Sequence, residues 1–131
     1  MIGLDTNVLV RYFAQDDPIQ SATAVRLIEH RLTEDEPGYI SLVTLVETVW
    51  VLQRHYRLSA LDVAQIVQGL LEAPVIVVES APEVFLAMTA VHEGRGTFSD
   101  VLIAALGAKA GCSTTMTFDR KAARLSGFSL V

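Results

Sequence analysis

Met1-Ile2-Gly3-Leu4-Asp5-Thr6-Asn7 is the stretch whose reading decides the fold. An apolar run opens the chain and stops at a carboxylate. Reading Met1 to Leu4 as a strand puts Asp5 at that strand's carboxyl end, the edge at which open parallel sheets bind their ligands. Thr6 and Asn7 suit a helix start, and Val8, Leu9 and Val10 carry the apolar pattern onward. A strand, an acid and a helix start thus follow one another within a few residues.

Outward from this stretch the same alternation continues. The pattern is helical from Thr6 to Ala14, with Val8, Leu9, Tyr12 and Phe13 on its apolar side. Asp16-Asp17-Pro18 breaks it and opens an amphipathic helix from Ile19 to Leu32. Glu34-Asp35-Glu36-Pro37-Gly38 is a solvated loop. Tyr39 to Ser41 reads as a short strand and Leu42 to Tyr56 as a long helix, on which Thr44, Glu47 and Arg54 form a narrow polar strip. Ser59 and Asp62 have capping-box spacing at the head of a helix from Ala60 to Glu72. Val75-Ile76-Val77-Val78 is a β-branched run of strand length, read as a buried strand. A helix from Pro82 to Glu93 and the loop Gly94-Arg95-Gly96 follow. Ser99 is the expected N-cap of a helix from Asp100 to Ala110, with Gly111 as its stop. Ser113 to Phe118 reads as a strand, Asp119-Arg120-Lys121 starts a short helix, and Phe128 to Val131 is a last strand. Strands alternating with helices predict an α/β fold, a parallel sheet with helices on both faces.

The chain has 131 residues, a length that predicts a single domain over 1–131. Hydrophobic residues make up 51% and the mean hydropathy is +0.41, which excludes a disordered chain. The formal net charge of −5 argues against binding nucleic acid by a broad basic surface. It leaves room for an enzyme that meets phosphate through a bound cation, because a metal reverses the local field of an acidic site. Cys112 is the one cysteine, so no internal disulfide is possible, and a small buried thiol in a reducing, cytoplasmic protein is expected. No signal peptide or membrane span is expected: Asp5 and Arg11 interrupt the opening run, and Glu47 breaks the apolar stretch from Tyr39 to Leu52.

Four acids stand beside apolar sequence, where a solvated acid is unusual: Asp5, Glu47, Asp100 and Asp119. Strand ends and the helix starts that follow them share one edge of a parallel sheet, so Asp5, Asp100 and Asp119 are expected to meet there. Glu47 joins them if its helix leans inward. Two carboxylates ~5 Å apart repel by roughly 3 kcal/mol at an effective dielectric of ~20, so such a cluster calls for a cation. Hard oxygen ligands without His or Cys select Mg²⁺ or Mn²⁺, and metal-assisted hydrolysis of a phosphodiester is the chemistry indicated. Each acid also has a structural reading: Asp5 as a helix cap, Glu47 as a solvent-facing acid near Arg54, Asp100 as a first-turn acid favoured by the helix dipole, and Asp119 as a turn residue. Thr6, Asn7, Thr115 and Thr117 lie near strand ends, where they would either orient carboxylates or waters or serve capping and strand packing. His30, His55 and His92 show no ligand spacing and belong to the surface or to packing. Trp50 and Phe13 are read as core or interface residues. Arg120-Lys121-Arg124 and Arg54-His55-Tyr56-Arg57 are basic groups read as solvated faces, with contact to phosphates as the alternative.

Leu4-Asp5-Thr6-Asn7-Val8-Leu9, Glu47 in an apolar helix, Phe98-Ser99-Asp100-Val101-Leu102-Ile103-Ala104-Ala105 and Thr117-Phe118-Asp119 together resemble the PIN-domain ribonucleases, and more narrowly the VapC toxins of bacterial toxin–antitoxin pairs. The resemblance runs from Ile2 to Phe128. It implies a PIN-like three-layer sandwich on a central parallel sheet, and an endoribonuclease dependent on Mg²⁺ or Mn²⁺. It also implies a homodimer and a cognate antitoxin whose arm covers the toxin's groove. By position, Asp5 and Asp100 become the chief metal ligands, Glu47 and Asp119 complete the acidic set, and Asn7 and Thr117 are supporting polar residues. Thr97 stands where many relatives carry a further acid, which leaves open whether one metal or two are held. Two rivals remain: a PIN nuclease of RNA processing with no antitoxin, and a PIN-fold binding module with negligible turnover. A haloacid-dehalogenase-like phosphatase is disfavoured, because it needs a second acid where Asn7 stands.

Overall fold

The computed structural model describes all residues, Met1–Val131. The chain forms two compact units, Met1–Ala81 and Pro82–Val131.

In the first unit the strands are short because the chain turns into helix as soon as it reaches the sheet edge. β1 (Ile2–Gly3), β2 (Gly38–Ile40) and β3 (Ile76–Val78) form a parallel sheet in the order β1-β2-β3. Ile2 lies beside Gly38, and Gly38 beside Ile76. Gly38 sits where space is least: a Cβ there would lie 2.8 Å from Leu32 Cδ1 and 2.9 Å from Leu4 Cδ1. The helices are α1 (Thr6–Ala14), α2 (Pro18–Val25), α3 (Leu42–Arg54) and α4 (Ala60–Glu72). Helix α1 packs on α2 and α3, and α4 packs on β3 and α3. Leu9, Ile40, Leu45, Leu52, Val63 and Val67 are almost wholly buried.

The helix starts follow local chemistry. Asp17 caps α2 by accepting the N–H groups of Ile19 at 3.1 Å and Gln20 at 2.9 Å, with Pro18 in the first turn. Ser41 caps α3, and the capping box of Ser59 and Asp62 opens α4 as expected. The helix expected from Ile19 to Leu32 is interrupted. After Val25 the backbone widens into a π segment over Arg26–Arg31, where the Leu32 N–H reaches back to the Leu27 carbonyl at 3.0 Å. Glu29 in that segment accepts the Tyr12 hydroxyl at 2.8 Å. Burial and this hydrogen bond raise the Tyr12 phenol above its ordinary pKa.

The β-branched run that reads as a buried strand is buried on one face only. Ile76 and Val78 are covered while Val77 is open, because successive side chains of a strand point to opposite faces of the sheet.

The second unit contains α5 (Ala81–His92, from the last residue of the first unit), α6 (Phe98–Lys109), β4 (Thr115–Thr117), a 3-10 turn (Ala122–Arg124) and β5 (Phe128–Leu130). β4 and β5 pair in parallel, Thr115 beside Phe128. Two expectations are corrected here. Helix α6 is capped by Thr97 rather than Ser99, since starting at Phe98 buries that ring within the first turn. Cys112 is exposed rather than buried: α6 ends at Lys109, and Gly111 (φ +96°) turns the chain outward before the thiol is reached.

The fold class is α/β with every strand pair parallel, as the sequence predicts. No helix is long and apolar enough to cross a membrane.

Candidate functional site

The sheet of the first unit exposes its chemistry at one edge. Its three strands run parallel, so the residues that follow them lie along the same side: Asp5 after β1, Ser41 after β2 and Glu79 after β3. Two of these are committed to structure. Ser41 caps α3, and Glu79 Oε1 accepts the N–H of Leu42 at 2.8 Å, closing the start of the same helix. The sequence reading passed over Glu79, although its signal was the one that singled out Asp5: an acid directly after a strand.

Asp5 is different. It occupies the N-cap of α1 with extended backbone (φ −88°, ψ 160°), and its carbonyl accepts the N–H groups of Val8 and Leu9. Its carboxylate makes no capping bond and is exposed. A residue type chosen for capping is thus in the capping position without doing that work. Asn7, in the next turn, is exposed and lines a small cleft with Val8, Arg11, Gln20, Thr23, Ala24 and Leu27.

Glu47 lies midway along α3, a helix in contact with α1. The polar strip expected on α3 is corrected by the burial pattern: the open face is Val43, Glu47, Trp50 and Arg54, at helical spacing, while Thr44 is half-buried against Ser41. Trp50 is 54% exposed, so it is not a core residue. His55 meets its ring edge-on, and the Arg54 guanidinium lies 6.0 Å from the ring centre. Glu47 and Arg54 form no ion pair.

In the second unit, Asp100 stands in the first turn of α6 with its N–H held by Thr97 Oγ1 at 3.1 Å. Its carboxylate accepts no hydrogen bond and joins no ion pair. Thr97 therefore serves as the cap of this helix. Thr117 ends β4, and its hydroxyl accepts the Asp119 N–H at 3.0 Å. Asp119 in turn spends one oxygen on the turn: Oδ1 accepts the N–H groups of Lys121 at 2.8 Å and Ala122 at 3.3 Å. Asp119 is thus a turn residue that keeps its second oxygen in hand. His30, His55 and His92 are all exposed.

These residues divide between the units, Asp5, Asn7 and Glu47 in the first and Asp100, Thr117 and Asp119 in the second. No three Asp, Glu, His or Cys side chains stand in a group able to hold a metal ion. The donor chemistry nevertheless suits a hard divalent cation: Asp5, Glu47 and Asp100 present carboxylates that no internal partner uses, and Asp119 presents one free oxygen. Glu83, the one buried acid, is paired with Lys109 at 3.0 Å, whereas Asp5, Glu47 and Asp119 are exposed to solvent.

Residues 2–127 match the PIN domain. The chain belongs to the PIN-domain family. This accounts for the α/β fold with its parallel strands. Among curated proteins, a VapC ribonuclease of Aquifex aeolicus (strain VF5) is 25% identical over 128 residues, covering 98% of this chain and 93% of that protein.

Proposed function

We propose that this PIN-family protein is a Mg²⁺- or Mn²⁺-dependent endoribonuclease, the toxin half of a toxin–antitoxin pair, built as one nuclease domain over 1–131. The observation that carries the reading is Asp5: an N-cap carboxylate left unused at the carboxyl edge of a parallel sheet. The match over residues 2–127 and the likeness to a VapC ribonuclease support it.

In this reading Asp5, Glu47, Asp100 and Asp119 would hold the cation, with Asp5 and Asp100 as its chief ligands. When bound, the ion supplies a more acidic water and balances the charge that develops on the phosphoryl oxygens. The chain's own residues set where that happens. The first turn of α1 fixes the backbone of Asp5, so its carboxylate swings only about its own side-chain bonds. Thr97 fixes the backbone of Asp100 in the same way. Thr117 holds the Asp119 N–H, and the turn N–H groups hold Asp119 Oδ1, which aims the remaining oxygen. Asn7 offers an amide to orient a carboxylate or a water.

The partner assignments belong to the same proposal. A cleft of about 560 Å³ lined by Tyr12, Phe13, Ile28, Leu58, Ile66 and Leu70, among others, suits the apolar arm of an antitoxin. Val43 and Trp50, exposed on α3, and Leu61, 55% exposed on α4, suit a second copy of the chain. A cytoplasmic location agrees with one free cysteine.

The test is RNA cleavage by purified protein titrated with Mn²⁺, beside calorimetry of Mn²⁺ binding. Cleavage that rises with Mn²⁺ and vanishes in Asp5→Asn is expected. Full activity in Asp5→Asn would remove Asp5 from the mechanism, and turnover indifferent to Mn²⁺ and to chelator would remove the cation.

A further inference from the structure

A second feature of Pro82–Val131 is a cleft of about 420 Å³ lined by Arg95, Val101, Arg124, Leu125 and Ser126. We infer that this cleft is a phosphate subsite for single-stranded RNA, holding a backbone phosphate that flanks the one under attack. The inference rests on the nuclease reading above and deepens it.

The cleft is built rather than incidental. Gly94 (φ +72°) and Gly96 (φ +125°) bracket Arg95 in left-handed backbone, and the Arg95 N–H closes the end of α5 on the Ala90 carbonyl at 2.7 Å. A Cβ at position 96 would lie 2.9 Å from both Leu125 methyl carbons and 3.3 Å from Val101 Cγ2. Only glycine lets the loop settle this closely on Leu125. That contact sets Arg95 beside the segment that carries Arg124.

The charges then favour an anion. Two guanidinium groups line the cleft, and no acid does. Arg95 Nε is held by Glu93 at 2.6 Å, which steadies the side chain and leaves its terminal nitrogens to donate. Arg124 joins no ion pair. With Glu93 offsetting one charge, the cleft keeps a net positive charge in a chain whose formal total is −5. A guanidinium fork matches two phosphate oxygens at once, and the Ser126 hydroxyl adds a further donor. The apolar walls, Val101 and Leu125, suit a sugar lying between phosphates.

Position selects RNA over an acidic peptide. Val101 follows Asp100 directly in the first turns of α6, so the cleft shares a helix with a carboxylate proposed to act on a phosphodiester. A polyanion reaching that acid extends its neighbouring phosphates over the same surface.

The test uses the full chain. In an Asp5→Asn background, which prevents cleavage, binding of a fluorescent single-stranded RNA is measured by anisotropy in Mg²⁺ over a range of salt. Each phosphate contact on single-stranded nucleic acid contributes about −0.7 to the slope of log K against log salt. R95Q/R124Q removes the one phosphate contact of the subsite and is expected to flatten the slope by about 0.7 and weaken binding at low salt about tenfold. R26Q/R31Q removes the same charge from exposed positions of the first unit and is expected to keep the parental slope. With Asp5 intact, R95Q/R124Q is expected to raise KM for RNA about tenfold with kcat nearly unchanged, a split that loss of folding would not give.

If the parent protein binds and cleaves RNA while R95Q/R124Q matches R26Q/R31Q in slope and KM, the subsite is wrong and the nuclease reading stands. An acidic peptide that binds the parent and loses affinity in R95Q/R124Q, with the RNA slope unmoved, also overturns the subsite. If the parent neither binds nor cleaves RNA, the nuclease reading fails and the subsite with it.

Discussion

Asp5 and Asp17 occupy the same position in consecutive helices, and the contrast between them separates structure from function. Asp17 accepts two backbone N–H groups, at 3.1 and 2.9 Å, whereas Asp5 accepts none through its side chain. Truncating a working N-cap costs about 1–2 kcal/mol. An acid that acts only through the helix dipole at an exposed site is worth about 0.3–0.5 kcal/mol. For a chain of 131 residues each kcal/mol moves Tm by about 3–4 °C. Asp17→Ala should therefore lower Tm by about 3–8 °C, and Asp5→Ala by less than about 2 °C, both by calorimetry in EDTA. Function should rank the two oppositely, with Asp5→Ala abolishing RNA cleavage and Asp17→Ala retaining it at temperatures where it stays folded. A cation at a hundredfold its Kd stabilises the native state by about 2.7 kcal/mol. The wild type should accordingly gain about 10 °C on adding saturating Mn²⁺, and Asp5→Ala should lose most of that gain. An Asp5→Ala protein as destabilised in EDTA as Asp17→Ala, with an undiminished response to Mn²⁺, would show that Asp5 is a structural cap and refute the reasoning.

Other outcomes follow from particular contacts. Gly38→Ala would force a methyl between the Leu32 and Leu4 methyl carbons in the middle strand, so denaturant unfolding should show a loss of about 1–2 kcal/mol, overpacking outweighing the gain in chain stiffness. The Tyr56 hydroxyl donates to Asp16 Oδ2 at 2.6 Å, and that bond, ahead of Arg11 at 3.2 Å, holds the Asp16 carboxyl below the ordinary carboxylate pKa. A carboxylate depressed on folding stabilises above its unfolded pKa and loses that contribution as pH falls through the folded value. The acid limb of the stability curve below about pH 4 should therefore be shallower in Tyr56→Phe, measured by urea midpoints from pH 2 to 7. The same bond raises the Tyr56 phenol, so its contribution is complete below about pH 10 and fades as pH rises through the elevated folded value. Cys112 is exposed, and a thiol reagent should label it in the native protein without denaturant; a thiol that reacts only in urea would contradict the turn at Gly111.

Much of the fold was legible because it is written in short-range chemistry. Thr6–Ala14 and Ala60–Glu72 came out with the expected boundaries, since apolar period and cap residues sit next to one another in the chain. The errors fall where a distant contact overrides a local signal. Ser99 is as good a cap as Thr97 on its own, and burial of Phe98 decides between them. Four β-branched residues at 75–78 suit a strand covered on both faces or on one, and only tertiary packing decides that Val77 stays open. Nothing in residues 26–31 announced a π segment.

The candidate site divides in the same way. The sequence by itself determined which acids exist beside strands and helix starts, and hence the hard-oxygen chemistry available to the chain. It does not distinguish an acid that is spent from one that is free, because that depends on which backbone N–H groups come within hydrogen-bond reach. Tertiary structure decided it: Glu79 is used up closing α3 from a strand 37 residues away, Asp119 is half used by its own turn, and Asp5 is left with its carboxylate open. The physical reason is that pattern and composition act over a few residues, while a hydrogen bond satisfies whichever acceptor the fold brings to it.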